Sequence, residues 1–330
     1  ERFWTGCRLR LLDSDGKTVA ESTVAEFDAC DALLRLEAPL SVAPARQQVY
    51  ELASGEEAPV LGIRYMLGLP LGAELPPMAI RLGTTRGTNA LITRQGAKTA
   101  FITTKGFGDV LRIGYQDRPK LFDLDIHKTE PLFAAVVEID ERITPEGEVL
   151  TAPDPEAIRQ ELKALKQQGI ESLAVCLLHA YAHAGHEDLV GRIARETGFE
   201  EISLSSRVAP LAKIVSRGDT TVMDAYLNPV LRAYVRRLRT SIGTGRLAIL
   251  TSAGGLVDAD RFVGKDSILS GPAGGVVGFS RVAQAAGFQR AIGFDMGGTS
   301  TDVSRFDGRH ELEYETEKAG VRVVAPMMAI

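Results

Sequence analysis

Two aspartates, Asp295 and Asp302, bracket the run Met-Gly-Gly-Thr-Ser-Thr, and that spacing suits work on phosphate. Glycines at 297 and 298 let backbone N–H groups approach an anion with no Cβ in the way. The hydroxyls of Thr299, Ser300 and Thr301 add further donors, so Gly297, Gly298, Thr299, Ser300 and Thr301 are the candidate phosphate contacts. A carboxylate at a strand end can hold Mg²⁺, directly or through water, or orient an attacking group. Asp295 and Asp302 are therefore the candidate catalytic pair, with Asp295 the candidate metal ligand. The plain alternative is an ordinary Gly-Gly hairpin turn.

Other groups compete for attention. Ser270-Gly-Pro-Ala-Gly-Gly275 opens a helix, where exposed N–H groups attract anions; Gly271, Gly274 and Gly275 could face a phosphate or serve close helix–sheet packing. Gly83-Thr-Thr-Arg-Gly-Thr-Asn89 joins a strand to a helix, and Thr84, Thr85 and Asn89 could hold substrate or merely cap the helix. Arg217, Asp219, Asp224, Tyr226 and Asn228 cluster at the start of a long helix. There Arg217 could grip a carboxylate in bidentate fashion and Asp224 could touch substrate, against the plainer reading of a salt-bridge network. His179, His183 and His186, and the weaker group Asp123, Asp125 and His127, lack the spacing of a zinc site and are not assigned metal. Gly16-Lys17-Thr18 imitates the end of a phosphate loop, but the glycine that such a loop needs upstream is absent and a hairpin turn is expected.

The elements that must position these groups follow from periodicity. Residues 1–48 read as short strands with a hairpin turn at 13–17. From about residue 79 strands alternate with helices, which argues for an α/β sheet with helices on its faces. A helix is expected over 157–168, with Asp154 as cap, Pro155 in its first turn, Gly169 ending it, and Ile158, Leu162 and Leu165 on one face. Further helices are expected over 187–197, 219–240 (bent at Pro229) and 274–286, and strands over 98–104, 172–178, 202–205, 247–250 and 291–294. The strand ending at Asp295 should turn through the glycines and return as 303–306.

The chain has 330 residues, enough for two domains; it is 45% hydrophobic and 25% charged, with 38 basic and 43 acidic residues and a net charge of −5. No basic run suggests nucleic acid as a partner, and no apolar stretch is long enough to suggest a membrane span. Cys7, Cys30 and Cys176 are few and far apart, which fits a reducing cytoplasm. The opening Glu1 and the apolar close at Ile330 are those expected of a piece of a longer polypeptide.

The stretch FDMGGTSTDVS (Phe294–Ser304) resembles the second phosphate loop of the actin/Hsp70/sugar-kinase ATPase fold, and in this wording the hydantoinase A/5-oxoprolinase family. LSGPAGGVVGFS (Leu269–Ser280), GTTRGTNAL (Gly83–Leu91), TTKGFGDVLRIG (Thr103–Gly114), RPKLFDL (Arg118–Leu124), AVCLLHAY (Ala174–Tyr181), SRGDTTVMDAYLNPVL (Ser216–Leu231) and LTSAGGL (Leu250–Leu256) are similar to that family in the same order. IVSRGDTTVMDAYL and VSRFDG lie nearer the 5-oxoprolinase branch. The resemblance implies an α/β, ribonuclease H-like/actin-like ATPase lobe, with residues 79–288 as an α/β lobe and 289–330 as the start of a second ATPase lobe; residues 1–78, where the resemblance is much weaker, are a β-rich N-terminal segment or an insertion. It implies ATP and Mg²⁺ as cofactors and a small cyclic amide as substrate, 5-oxo-L-proline first. As partner it implies the rest of the polypeptide or a hydantoinase B-like subunit, in an oligomer. Hydantoin or N-methylhydantoin opening, a small-molecule kinase and a non-catalytic module are the alternatives. The family's first glycine-rich loop, Asp-x-Gly-Gly-Thr-x-Thr-Asp, has no counterpart upstream of residue 80, so this chain alone is expected not to hydrolyse ATP.

Overall fold

The computed structural model describes residues 3–116, 122, 124, 125, 128–297 and 301–330. Their contacts divide the chain into two units: Glu1–Ile80 with Val235–Leu247, and Arg81–Tyr234 with Ala248–Ile330.

The smaller unit is built on an antiparallel sheet in the order Leu33–Leu36, Thr18–Asp28, Arg8–Leu12, Tyr50–Ala53. Alternation along Arg8–Leu12 puts Leu9 and Leu11 inside, where they pack with Cys7, Ala20 and Val24. Gly16 and Lys17 lie in the hairpin turn 13–17 joining the first two strands, and Thr18 opens the second strand. Asp13 Oδ1 accepts from the N–H groups of Asp15 (2.9 Å) and Lys17 (2.8 Å), an Asx-type turn with its donors already spent. In the helix Ala58–Leu67 the buried Arg64 donates through Nε to Glu56 (2.6 Å), which satisfies a charge that would be costly if unpaired.

The larger unit carries a four-stranded parallel sheet in the order Glu201–Leu204, Ser172–Cys176, Thr99–Thr104, Phe133–Ile139. Thr99–Thr104 and Ser172–Cys176 are buried along their whole length, the signature of parallel strands covered on both faces. Side chains alternate between two cores. Ala100, Ile102, Leu173 and Val175 face the helices Pro155–Gln167 and Gly185–Glu196. Phe101, Ala174 and Cys176 face the long helix Ile214–Ile242 through Val222 and Ala225. The helix expected over 157–168 is present: Asp154 accepts from Glu156 N–H at 2.9 Å, Gly169 follows with a φ of 75°, and Ile158, Leu162 and Leu165 are buried. After the helix Ser270–Ala285 the chain forms the antiparallel hairpin Ala291–Met296 with Thr301–Phe306, then short paired strands to its end.

Candidate functional site

The hairpin register places Asp295 directly opposite Asp302, with Met296 opposite Thr301 beyond them. Directly opposed residues point to the same face with Cβ atoms about 5 Å apart, and like charges so placed repel. The two carboxylates thus converge, and both line a cleft of about 180 Å³. Its other wall is the helix Ser270–Ala285, which contributes Pro272, Gly275, Val276 and Phe279, and Ile330 closes one side. The approach of hairpin to helix depends on Gly293: a Cβ there would meet the Phe279 ring at 2.4 Å. Gly275 has nothing within 4 Å of a would-be Cβ and leaves its stretch of the cleft wall open. Gly297 and Thr301 flank the turn, while Gly298, Thr299 and Ser300 lie outside the described residues.

The two other glycine-rich motifs meet each other. A Cβ on Gly83 would lie 2.9 Å from the Ser270 carbonyl oxygen, and one on Gly271 would lie 2.9 Å from Thr85 Cγ2. Across this contact Thr84 N–H donates to Ser270 Oγ (3.1 Å), Gly271 N–H donates to the Thr84 carbonyl (3.1 Å), and the Ser270 hydroxyl donates to the Leu250 carbonyl (2.5 Å). The first free N–H groups of the helix are therefore used in packing instead of being held open for an anion: Gly271 is committed to Thr84 and Pro272 has none to give. A Cβ on Gly274 would lie 3.6 Å from Leu250 Cδ2, an ordinary contact. Thr84 is buried in this junction, whereas Thr85 and Asn89 are exposed on the first turn of the helix Arg86–Ile92, the Asn89 amide 3.5 Å from Thr85 Oγ1.

Helical period separates the cluster at the start of the long helix. Arg217, Asp224 and Asn228 are spaced to share one face, and Asp219 lies round the other side. Arg217 is wholly buried; it donates to the carbonyls of Leu177 (2.7 Å) and Leu211 (2.9 Å) and stacks over Tyr181, so it has no edge facing solvent for a substrate carboxylate. Asp224 is equally internal. It accepts from Ser203 Oγ (2.7 Å), Asn228 Nδ2 (3.0 Å) and Lys265 N–H (2.9 Å), and pins the loop before the Ser270 helix. Both residues hold the framework together. Asp219, by contrast, borders a second cleft, and sequence reasoning did not separate it from its neighbours although the helical spacing carried the signal. There it receives Arg322 Nη1 at 3.2 Å, and burial pushes its carboxyl up to about 6 while Arg322 pulls the other way.

Among the described residues no set of three or more His, Cys, Asp or Glu side chains could hold a metal ion. His183 reaches the Pro145 carbonyl (2.9 Å) and His186 reaches Glu141 (2.5 Å); Asp123 and His127 lie outside the described residues. Mg²⁺ in phosphoryl transfer needs less than a three-residue cage, since one or two carboxylates complete its shell together with water and phosphate oxygens. The opposed Asp295 and Asp302 fit that requirement, and a cation between them would relieve their repulsion. No helix among the described residues is long and apolar enough to cross a membrane.

A parallel sheet covered by helices, followed by an acid-flanked glycine hairpin over a helix start, defines an α/β lobe of the actin-like type. The chain belongs to the hydantoinase/oxoprolinase family: the model of the family's N-terminal region matches residues 40–198, and the hydantoinase/oxoprolinase model matches 217–330. The first of these begins inside the segment 1–78 that the sequence sets apart. The chain is 42% identical over 316 residues to the 5-oxoprolinase of Saccharomyces cerevisiae, covering 83% of this chain and 24% of that protein. It is 40% identical over 308 residues to 5-oxoprolinase 1 of Arabidopsis thaliana, with the same two coverages. It therefore spans about a quarter of the length of these relatives. Among solved structures, the ATP-dependent caprolactamase from Pseudomonas jessenii matches with a TM-score of 0.70 at 23% identity, over 94% of this chain and 46% of that one. Nucleotide-free acetone carboxylase matches with a TM-score of 0.69 at 20% identity, over 86% and 45%. At those identities the likeness is one of fold.

Proposed function

We propose that this chain is the portion of an ATP-dependent cyclic-amide hydrolase that holds one phosphate-binding hairpin, and that the whole protein opens 5-oxo-L-proline to L-glutamate. The observation that carries the reading is the convergence of Asp295 and Asp302 on one cleft beside the Ser270 helix. Relatives named 5-oxoprolinase at 40–42% identity support the choice of ring.

The chemistry explains why a phosphate site is needed. A five-membered lactam is a poor electrophile. Moving the γ-phosphoryl of ATP to the amide oxygen turns that oxygen into a leaving group. Water can then attack the carbon, the C–N bond opens as the nitrogen takes a proton and leaves a γ-acyl phosphate, and a second water displaces phosphate to give the carboxylate. Mg²⁺, when bound, would offset negative charge on the phosphoryl oxygens. Asp295 and Asp302 would hold it or position water, the N–H of Gly297 and Gly298 would take phosphate oxygens, and the hydroxyls of Thr299, Ser300 and Thr301 would add donors. Gly275 would leave room for the phosphates at the helix wall. In this reading residues 79–288 and 289–330 contribute to the two sides of a nucleotide site whose other phosphate loop lies elsewhere in the polypeptide, while a further region or a hydantoinase B-like partner completes the hydrolysis, in a cytoplasmic oligomer.

The test is to follow the whole protein with Mg·ATP and each of 5-oxo-L-proline, hydantoin and N-methylhydantoin, by ³¹P and ¹³C NMR. Free phosphate appearing in step with glutamate is expected with the first ring. Accumulation of a stable phosphorylated product would instead make the protein a kinase, and preference for a hydantoin would move it to the neighbouring branch.

A further inference from the structure

The second cleft, of about 180 Å³, is built from three pieces of the larger unit: the Leu111–Tyr115 turn, residues 128–133, and the long helix at Asp219 and Val222, closed by the hairpin residues 317–322. Two glycines make its walls fit. A Cβ on Gly218 would strike Leu111 Cδ2 at 2.7 Å, and one on Gly320 would strike Thr129 Oγ1 at 2.7 Å, so the helix and the hairpin turn each press against a neighbour that a side chain would hold off. A cleft of this size falls below the roughly 300–1,000 Å³ of pockets for drug-sized molecules and suits a small ring.

Its lining mixes signs. The half-buried end holds Asp219 with its partner Arg322, whose guanidinium also stacks over Tyr115 at 4.3 Å. The exposed mouth holds Lys128, which donates to the Ile113 carbonyl at 2.6 Å, and Arg112, which lies over the Phe133 ring at 5.9 Å. Glu130 and Glu317 also border it. A purely anionic ligand gains little from three cations balanced by three carboxylates. A ligand carrying one carboxylate and one N–H donor on an apolar ring meets all three kinds of wall: cation, acceptor and aromatic face.

We propose, resting on the reading above, that this cleft recognises the carboxylate-bearing cyclic amide, with Lys128 and Arg112 drawing its carboxylate and Asp219 accepting its ring N–H. Asp219 and the two cations are then specificity determinants for an amino-acid-derived lactam over a plain one. The terminal segment that supplies Arg322 here also supplies Ile330 to the aspartate cleft, so one stretch of chain borders both.

The experiment is calorimetric titration of the whole protein with 5-oxo-L-proline and with 2-pyrrolidinone, the same ring without the carboxylate. Lys128→Gln and Arg112→Gln should each weaken the acid about threefold to fivefold, as exposed charges do, and the double variant about tenfold or more, with 2-pyrrolidinone unaffected in each. Asp219→Asn should weaken both ligands by a similar factor, about fivefold. Should Asp219→Asn fail to fold, the double variant decides. Acid affinity unchanged in the double variant, or both ligands weakened alike by it, overturns the assignment; if that wild-type protein still opens the ring with ATP, the proposed function stands without it. A wild-type protein that neither binds nor opens the ring acid overturns both.

Discussion

Two aspartates facing each other across a hairpin are a poor choice for stability and a good one for a cation. Like charges directly opposed destabilise a strand pair by a few tenths of a kcal/mol to about 1 kcal/mol, so Asp302→Asn should leave the chain as stable as wild type or slightly more so in urea denaturation, while Mg·ATP-dependent turnover of the whole protein falls. A loss of stability with turnover intact would mean that the pair is structural. Asp219 makes a different prediction. Its folded carboxyl sits at about 6 against an ordinary 3.8, raised by burial. Between those values the unfolded chain releases the proton and the folded chain keeps it. Stability from this group is therefore fully present below pH 3.8 and is lost as pH rises through about 6. The difference corresponds to at most about 3 kcal/mol. Asp219→Asn should flatten that fall: the stability gap between wild type and variant, measured by urea melts from pH 3.5 to 7, should shift in the variant's favour as pH rises. A gap independent of pH would contradict the burial argument.

At the scale of elements, glycines that look like loop punctuation in the sequence turn out to be packing surfaces. The long helix is expected from Asp219, just after Gly218, and starts instead at Ile214; the glycine is inside it because Leu111 fills the space a side chain would take. Periodicity gives the next helix only from Gly274, while the run Ser270–Gly275 reads as a helix opening, and the helix starts at Ser270 with Pro272 tolerated in the first turn and Gly271 pressed on Thr85. Local periodicity could not show either start, because the reason lies at residues more than a hundred positions away. Where the partner is local the reading held: the Asp154-capped helix, the Asp13 hairpin and the Asp295 hairpin were legible from caps, turns and alternation. The buried framework roles of Arg217 and Asp224 were not, since a charge pattern does not say which helical face meets a sheet. The packing account predicts that Gly83→Ala costs about 1–3 kcal/mol in urea denaturation, because its Cβ would meet the backbone oxygen of Ser270 at 2.9 Å; a cost under a few tenths would mean that the junction is loose. The hairpin Thr316–Lys318 with Val321–Val323 is joined by Ala319 and Gly320, both with positive φ, and only the second is a residue that adopts it freely. Ala319→Gly should raise stability by about 0.5–1 kcal/mol, leaving the bond from Arg94 to the Ala319 carbonyl intact; destabilisation would contradict the strained-turn reading.

The chain spans 24% of the length of its 5-oxoprolinase relatives, and the proposed function assigns the remaining parts of the site to a longer protein. It carries one acid-flanked glycine hairpin, and ATP in the actin-like arrangement is expected to need a second loop. The isolated chain should therefore fold, by its two well-packed cores, yet release no phosphate from Mg·ATP. The most direct measurement of the central claim is phosphate release by the whole protein with Mg·ATP and 5-oxo-L-proline, comparing wild type with Asp295→Asn at matched fold by circular dichroism. A loss of at least about a hundredfold, the scale on which removing a charge-stabilising group acts, is the expected result. Turnover within about twofold of wild type would show that the hairpin at Asp295 does not handle the nucleotide, and with it the assignment of this chain to phosphoryl chemistry would fall.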